Sequence, residues 1–303
     1  MPDDQTPPPE HPDTLAGQGT TTCYRHPQRP TGLRCSRCGR PICGECANPA
    51  PVGQLCPDDA RSRVRVRGLP GQERPLVTMA LLGLNTLMLL VSAALTGSAF
   101  GLLDPSAPAL CRLGALNAAA IAEDGQWWRL LTVMVLHGGL LHWAFNSWAL
   151  WVFGPTLEGL LGRARFLALY VGAGFAGAAA SFAFNHTELG VGASGAIFGL
   201  LGALMAYFFR RRRAGGAVPL QNLLLVLLLN VFIASQNPSI DNLAHAGGFL
   251  AGLGAMALLE AVPERNRELR WAALALPFLA GVVLTVVGVQ TYAAGSGLTC
   301  VGA

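Results

Sequence analysis

The chain has 303 residues, of which 52% are hydrophobic and only 13% charged. Soluble domains carry about 25% charged residues, so the composition excludes an ordinary water-soluble globule and points to a membrane protein. All 21 basic residues are arginine, and the net charge of +4 accompanies no nucleic-acid-binding motif, so no nucleic-acid partner is expected. In chain order, residues 1–22 come first, Pro-rich and polar, too poor in apolar side chains to order themselves. They lack the basic start and apolar stretch of a signal peptide, which leaves the N-terminus in the cytoplasm.

Residues 23–60 carry the pairs Cys23-x2-His26, Cys35-x2-Cys38, Cys43-x2-Cys46 and Cys56-x2-Asp59. Closely spaced pairs of this kind are a zinc signal. The competing reading, a disulfide framework, conflicts with a reducing cytoplasm. The arrangement resembles a B-box-type zinc finger. That resemblance implies two interleaved structural Zn2+ sites, Cys23, His26, Cys43 and Cys46 in one, Cys35, Cys38, Cys56 and Asp59 in the other. Asp58 is the alternative to Asp59. A module this small needs metal to fold, and its expected role is to bind a protein partner or modulate access, not catalysis. Residues 61–75 form a basic linker.

A helix needs about 20 apolar residues to cross a bilayer. Charge-free windows predict seven spans, within Leu76–Leu103, Leu130–Leu157, Phe166–Asn185, Leu189–Phe209, Ala214–Ile240, Asn242–Leu259 and Trp271–Tyr292. Arginines orient them. One side collects Arg61, Arg63, Arg65, Arg67, Arg74, Arg163, Arg165, Arg210–Arg213, Arg265, Arg267 and Arg270; the other has only Arg112 and Arg129. The expected topology has the N-terminus cytoplasmic and the C-terminus outside, in the plasma membrane.

Polar groups at membrane depth are costly and mark function. In span 2, His142 and Asn146 lie four apart, on one helical face, with His137 nearer the outer surface. Span 4 opens with Gly192-Ala193-Ser194-Gly195, which sets Ser194 where free N–H groups and the helix dipole can stabilise an oxyanion. Span 6 holds His245 near its outer end, followed by Gly248-x-x-x-Gly252, a face for close helix packing. Packing against Gly195, Gly199 and Gly202 of span 4 could bring the His245 ring to the Ser194 hydroxyl, as a general base requires. Each feature alone has a bland explanation: a helix cap, a packing face, an interhelical hydrogen bond. Their common depth on the outer side is what points to catalysis.

Together these residues resemble the rhomboid proteases over about Leu76–Leu259. Trp128-Arg129 is similar to the first-loop motif, His142-x-x-x-Asn146 and Glu158-x-x-x-Gly162 to the span 2 motifs, Gly192–Gly195 to the nucleophile motif, and Ala244-His245-x-x-Gly248-x-x-x-Gly252 to the span 6 motif. The resemblance implies a six-helix core, here with a seventh helix added, preceded by the small cytoplasmic module (23–60): an all-α polytopic membrane protein with its core at 76–260 and a cytoplasmic loop, seventh span and outer tail at 261–303. It implies an intramembrane serine endopeptidase with a Ser194–His245 dyad that needs no cofactor. His142, Asn146 and the Ser194 N–H would hold the oxyanion, a contribution of roughly 3–4 kcal/mol per donor. The substrates implied are single-span membrane proteins in the lipid bilayer. Many members have Tyr where Phe198 stands, so an altered histidine orientation is expected, not inactivity. His137 and the Gln236–Ser239 loop are candidates to line the water entrance. A catalytically inactive relative that binds membrane clients is the alternative, and it would lack Ser194 or His245. The remaining thiols, Cys111 and Cys300, both fall on the oxidising side, where they either form a disulfide or stay free.

Overall fold

A computed structural model describes residues 21–49, 53–61, 74–186, 189–237, 239–293 and 300. The chain forms two units, Met1–Arg67 and Gly68–Ala303. Residues 1–20 of the expected tail, most of the linker, Pro238 of the outer loop and 294–299 of the outer tail lie outside the described residues.

The N-terminal unit has little regular structure. A two-residue pair, β1 (Asn48–Pro49) with β2 (Gln54–Leu55), precedes a short helix, α1 (Pro57–Arg61). Four tight turns close where the metal-type pairs occur, with His26 N donating to Cys23 O, Gly39 N to Cys35 O, Cys46 N to Cys43 O and Ala60 N to Cys56 O. Its interior is Ile42 surrounded by five cysteines, Cys23, Cys35, Cys43, Cys46 and Cys56.

The second unit is helical throughout. Helix α2 (Leu76–Thr96) leads into a long loop with three short helices, α3 (Ala107–Arg112), α4 (Ala118–Ala122) and α5 (Arg129–Thr132). Six long helices follow: α6 (Leu140–Leu161), α7 (Arg163–Phe184), α8 (Ser194–Arg210), α9 (Ala217–Gln236), α10 (Asn242–Ala261) and α11 (Arg267–Thr291). The seven long helices match the seven apolar windows. Five of them, α2, α7, α9, α10 and α11, are long and apolar enough to cross a membrane by length and composition. The exceptions are informative. Helix α8 has only 17 residues, and α6 carries His142, Asn146 and Glu158. The chain is thus a multi-pass α-helical membrane protein whose two least span-like helices carry Ser194, His142 and Asn146, while His245 lies on the span-like α10.

Two windows are shorter than expected. Helix α2 stops at Thr96 because Gly97 takes a left-handed C-cap (φ +68°). The window from Leu130 is broken: after α5 a 3-10 turn runs over Val133–Val135, the chain extends at Leu136, and α6 begins only at Leu140 behind Gly139 at φ +127°. His137 is therefore on the turn before α6. Helix α7 lies at the centre, buried for most of its length, with α8, α10 and α11 against it, while α9 is largely uncovered.

Glu158 explains how α2 begins. Helix α2 starts after Pro75, whose side chain offers no cap, so its first N–H groups need partners from elsewhere. The buried Glu158 carboxylate accepts from Val77 N (3.0 Å), Thr78 N (2.9 Å) and Thr78 Oγ1 (2.8 Å), where the helix dipole favours negative charge. Glu158→Gln replaces one acceptor oxygen by a donor facing donors. We expect it to cost about 2–3 kcal/mol, the scale of a lost charged hydrogen bond in a buried site. Thermal unfolding in detergent measures it, and an unchanged midpoint would refute this role.

Candidate active site

Ser194 is the first residue of α8, and Ala193 before it supplies no side-chain cap. The first N–H groups of α8 are thus left to whatever binds there. Gly192 reaches the helix at φ +136°, a conformation that strains any side chain. A Cβ at Gly192 would fall 2.9 Å from both Cε1 and Nε2 of His142 and 3.5 Å from Ser194 Oγ. The His142 ring edge and the Ser194 hydroxyl therefore both lie against Gly192, and only the missing Cβ lets the ring come so close.

His142 is oriented by the turn before it. Gly138 N donates to His142 Nδ1 at 3.3 Å, which leaves the proton of a neutral ring on Nε2, the atom facing Gly192. Asn146 is buried and donates from Nδ2 to His142 O at 2.9 Å, which leaves its second N–H for another acceptor. His137 is fully buried, its ring edge-on to His142 with centroids 5.4 Å apart.

His245 sits in the first turn of α10, its ring stacked on Phe198 with centroids 4.1 Å apart and planes 12° from parallel. Phenylalanine therefore fills the stacking position in full; the hydroxyl of a tyrosine is all that is missing. Because Phe198 is one turn beyond Ser194, the stack holds the imidazole beside the start of α8. No hydrogen bond joins Ser194 Oγ to His245 among the described residues; such contacts are often long before substrate binds. What brings the two helices together is backbone packing. A Cβ on Gly248 would collide with the carbonyl oxygen of Gly195, and one on Gly252 with that of Gly199.

The loop between α2 and α6 is fastened to this site. Leu116 and Gly190 exchange both backbone hydrogen bonds (2.9 and 3.0 Å), tying the loop to the segment that leads into Ser194. Arg129 is buried and donates from Nη1 to Cys111 O (3.0 Å) and Ala115 O (2.8 Å) and from Nε to Gln126 Oε1 (2.7 Å). Its partner in the motif, Trp128, is exposed. Cys111 and Cys300 are joined as a disulfide with Cα atoms 5.5 Å apart. Tyr292 Oη adds a second tie from the end of α11 to the loop, donating to Glu123 Oε1 at 2.8 Å. Sequence reasoning missed the Gly138 donor, the Gln126–Arg129 bond and Asp241, which caps α10; only the last left a signal, an Asp immediately before a helical stretch.

In the N-terminal unit, Cys23, His26, Cys43 and Cys46 form one cluster and Cys35, Cys38, Cys56 and Asp59 a second, the ligand atoms of each within 4.8 Å of one another. Both clusters could hold metal ions. Tetrahedral zinc with Zn–S of about 2.3 Å and Zn–N of about 2.0 Å places its ligand atoms about 3.5–3.8 Å apart. The His26 Nδ1 separations of 3.9, 3.4 and 3.4 Å from the Cys23, Cys43 and Cys46 sulfurs and the Cys38–Cys56 separation of 3.8 Å fit that set. Asp59 joins the second cluster. Thiol hydrogen bonds from Cys38, Cys35 and Cys56 hold its carboxyl down at about 2, so it offers an ionised oxygen. Asp58 is engaged elsewhere, accepting from Tyr24 Oη (2.8 Å) and pairing with Arg25 (3.1 Å) and Arg40 (3.3 Å).

A family model described as Rhomboid domain matches residues 124–261. The chain is 41% identical over 150 residues to "Rhomboid protease GluP" of Bacillus subtilis (strain 168), covering 50% of this chain and 29% of that protein. It is 41% identical over 164 residues to "RHOMBOID-like protein 5" of Arabidopsis thaliana, covering 52% of each. To the rhomboid protein YdcA of Bacillus subtilis (strain 168) it is 37% identical over 149 residues, or 49% of this chain and 73% of that one. The chain thus spans under a third of the length of the first of these relatives and about half of the second.

Proposed function

The chain belongs to the rhomboid family, and from that premise we propose that it is an intramembrane serine endopeptidase acting through a Ser194–His245 dyad. The observation that carries this reading is the convergence of Ser194 Oγ and the Nε2 edge of His142 on Gly192. His245 removes the Ser194 proton as Oγ attacks the scissile carbonyl. The oxyanion forms against His142 Nε2–H, the free N–H of Asn146 and the Ser194 backbone N–H. His245 then gives the proton to the leaving amine, and water, activated by the same imidazole, hydrolyses the acyl-enzyme. Substrates are single-span membrane proteins cut near the outer end of their helix. The N-terminus lies in the cytoplasm, the C-terminus outside, and the membrane is the plasma membrane. The Cys/His/Asp clusters hold two structural zinc ions, and the module they form binds a protein partner or modulates access.

Covalent labelling tests the proposal directly. A fluorophosphonate should phosphonylate Ser194 Oγ with loss of fluoride, the adduct located by mass spectrometry, and His245→Ala should abolish it. Labelling that misses Ser194, or that persists unchanged in His245→Ala, would favour the client-binding alternative.

A further inference from the structure

The dyad as described has no third group to orient its base, which serine hydrolases ordinarily provide. One carboxylate lies a helical turn before the base on the same helix. Asp241 is the N-cap of α10, one helical turn before His245, and the His245 N–H donates to the Asp241 carbonyl at 3.1 Å. Its side chain is spent in two directions. Oδ1 accepts from Ala244 N at 2.9 Å, closing the first turn of α10, and Oδ2 accepts from the Ser181 hydroxyl on α7. Ser181 is buried near the outer end of α7, so this hydrogen bond is a polar link between two helices, 60 residues apart in sequence.

The packing below the link shows what it controls. A Cβ on Gly177 of α7 would lie 2.6 Å from Ala244 O and 3.4 Å from Gly195 Cα, and one on Gly247 would lie 2.6 Å from Ala180 Cβ. Helices α7, α8 and α10 therefore touch backbone to backbone immediately beside His245. Smooth faces of small residues allow close approach but leave rotation and sliding weakly specified. The Ser181–Asp241 bond is a directional contact at the end of that interface. Asp241 and His245 are four residues apart at the start of α10, so they lie on one face of the helix, and positive charge develops on that face when His245 takes the Ser194 proton.

We propose that Asp241 is a positioning residue for the proposed proteolysis: through Ser181 it fixes the first turn of α10, and with it the His245 imidazole, against α7, and its charge favours the imidazolium formed during acylation. The proposal rests on the Ser194–His245 reading. A rival account makes Asp241 a helix cap only. Asparagine separates the two, because it caps as well as aspartate and its amide can still bond Ser181, with donor and acceptor exchanged, yet it carries no charge.

The experiment uses the full chain in liposomes, measuring kcat and KM for a single-span substrate, the rate of Ser194 phosphonylation and the thermal midpoint. Asp241→Asn is expected to lower kcat and the phosphonylation rate about 100-fold, the scale of one charge acting over a helical turn of about 5–6 Å at an effective dielectric of about 20. KM should stay within twofold and the midpoint should not move. Ser181→Ala should lower kcat several-fold with KM again little changed, since it loosens the base without touching the substrate. Asp241→Asn with kcat and phosphonylation within twofold of wild type overturns the proposal, as does a loss of rate in Ser181→Ala that only mirrors a loss of folded protein. Failure of the parent reading looks different: wild type itself would not label at Ser194, and both proposals would go.

Discussion

Alanine at Ser194 is expected to reduce cleavage of a single-span substrate by about 10⁴–10⁶-fold, and alanine at His245 by a similar factor. Residues that act as one catalytic unit lose nearly everything when either is removed, so the double substitution should be scarcely worse than either single one. Near-additive losses would mean that the two side chains do not work together. The oxyanion side of the site should respond on a smaller scale. His142→Ala removes the Nε2–H beside Gly192, and loss of one such donor costs about 10²–10³ in kcat with KM nearly unchanged, because the bond tightens only as negative charge develops. Gly138 holds the His142 tautomer through a single backbone N–H, which places the donor before substrate arrives. The measurement is product formation in liposomes at several substrate densities. Wild-type rates in Ser194→Ala would remove the protease reading altogether.

Much of the architecture was legible in the residues because bilayer crossing imposes a length and an apolarity that each segment satisfies on its own. Seven charge-free windows became seven long helices. The metal-type pairs were legible for a similar reason, since their spacing is local; which pairs share a cluster was implied by the B-box resemblance, and the choice between Asp58 and Asp59 needed coordinates. What stayed hidden depends on contacts between distant segments. The break at His137–Gly139 lies inside an unbroken apolar window, and hydropathy does not register the positive φ of Gly139 that ends it. Glu158 reads as part of a family motif, but that it caps α2, 80 residues earlier, follows only from its hydrogen bonds to Val77 and Thr78. The glycines of α10 announce a packing face without saying which helix meets it, and Gly248 turns out to face Gly195. Phe198 is the reverse case, where a departure from the common residue suggested an altered histidine orientation, and the phenyl ring is found stacked on His245.

Metal removal is expected to unfold the N-terminal module as a unit. Its interior contains Ile42 and cysteine sulfur, with Tyr24, Ala47 and Leu55 only partly packed against them, so apolar burial is far too small to hold some forty residues together. The free energy must come from ligation, which for structural zinc in small fingers amounts to about 10–16 kcal/mol near neutral pH. Cys43 makes the point locally, since its sulfur, those of Cys23 and Cys46, and His26 Nδ1 converge on one position. Native mass spectrometry should find two zinc ions per chain, and Cys43→Ser should lose at least one. With no lysine in the chain, trypsin cuts only at arginine, and Arg25, Arg29, Arg34, Arg37 and Arg40 lie within the module. Arg29 and Arg40 precede proline and are poor tryptic sites, but the bonds after Arg25, Arg34 and Arg37 should resist trypsin in the metal-loaded protein and be cut rapidly after chelation. A module that keeps its resistance without metal, or that carries disulfides in place of bound ions, would mean that cross-links do the work assigned to zinc.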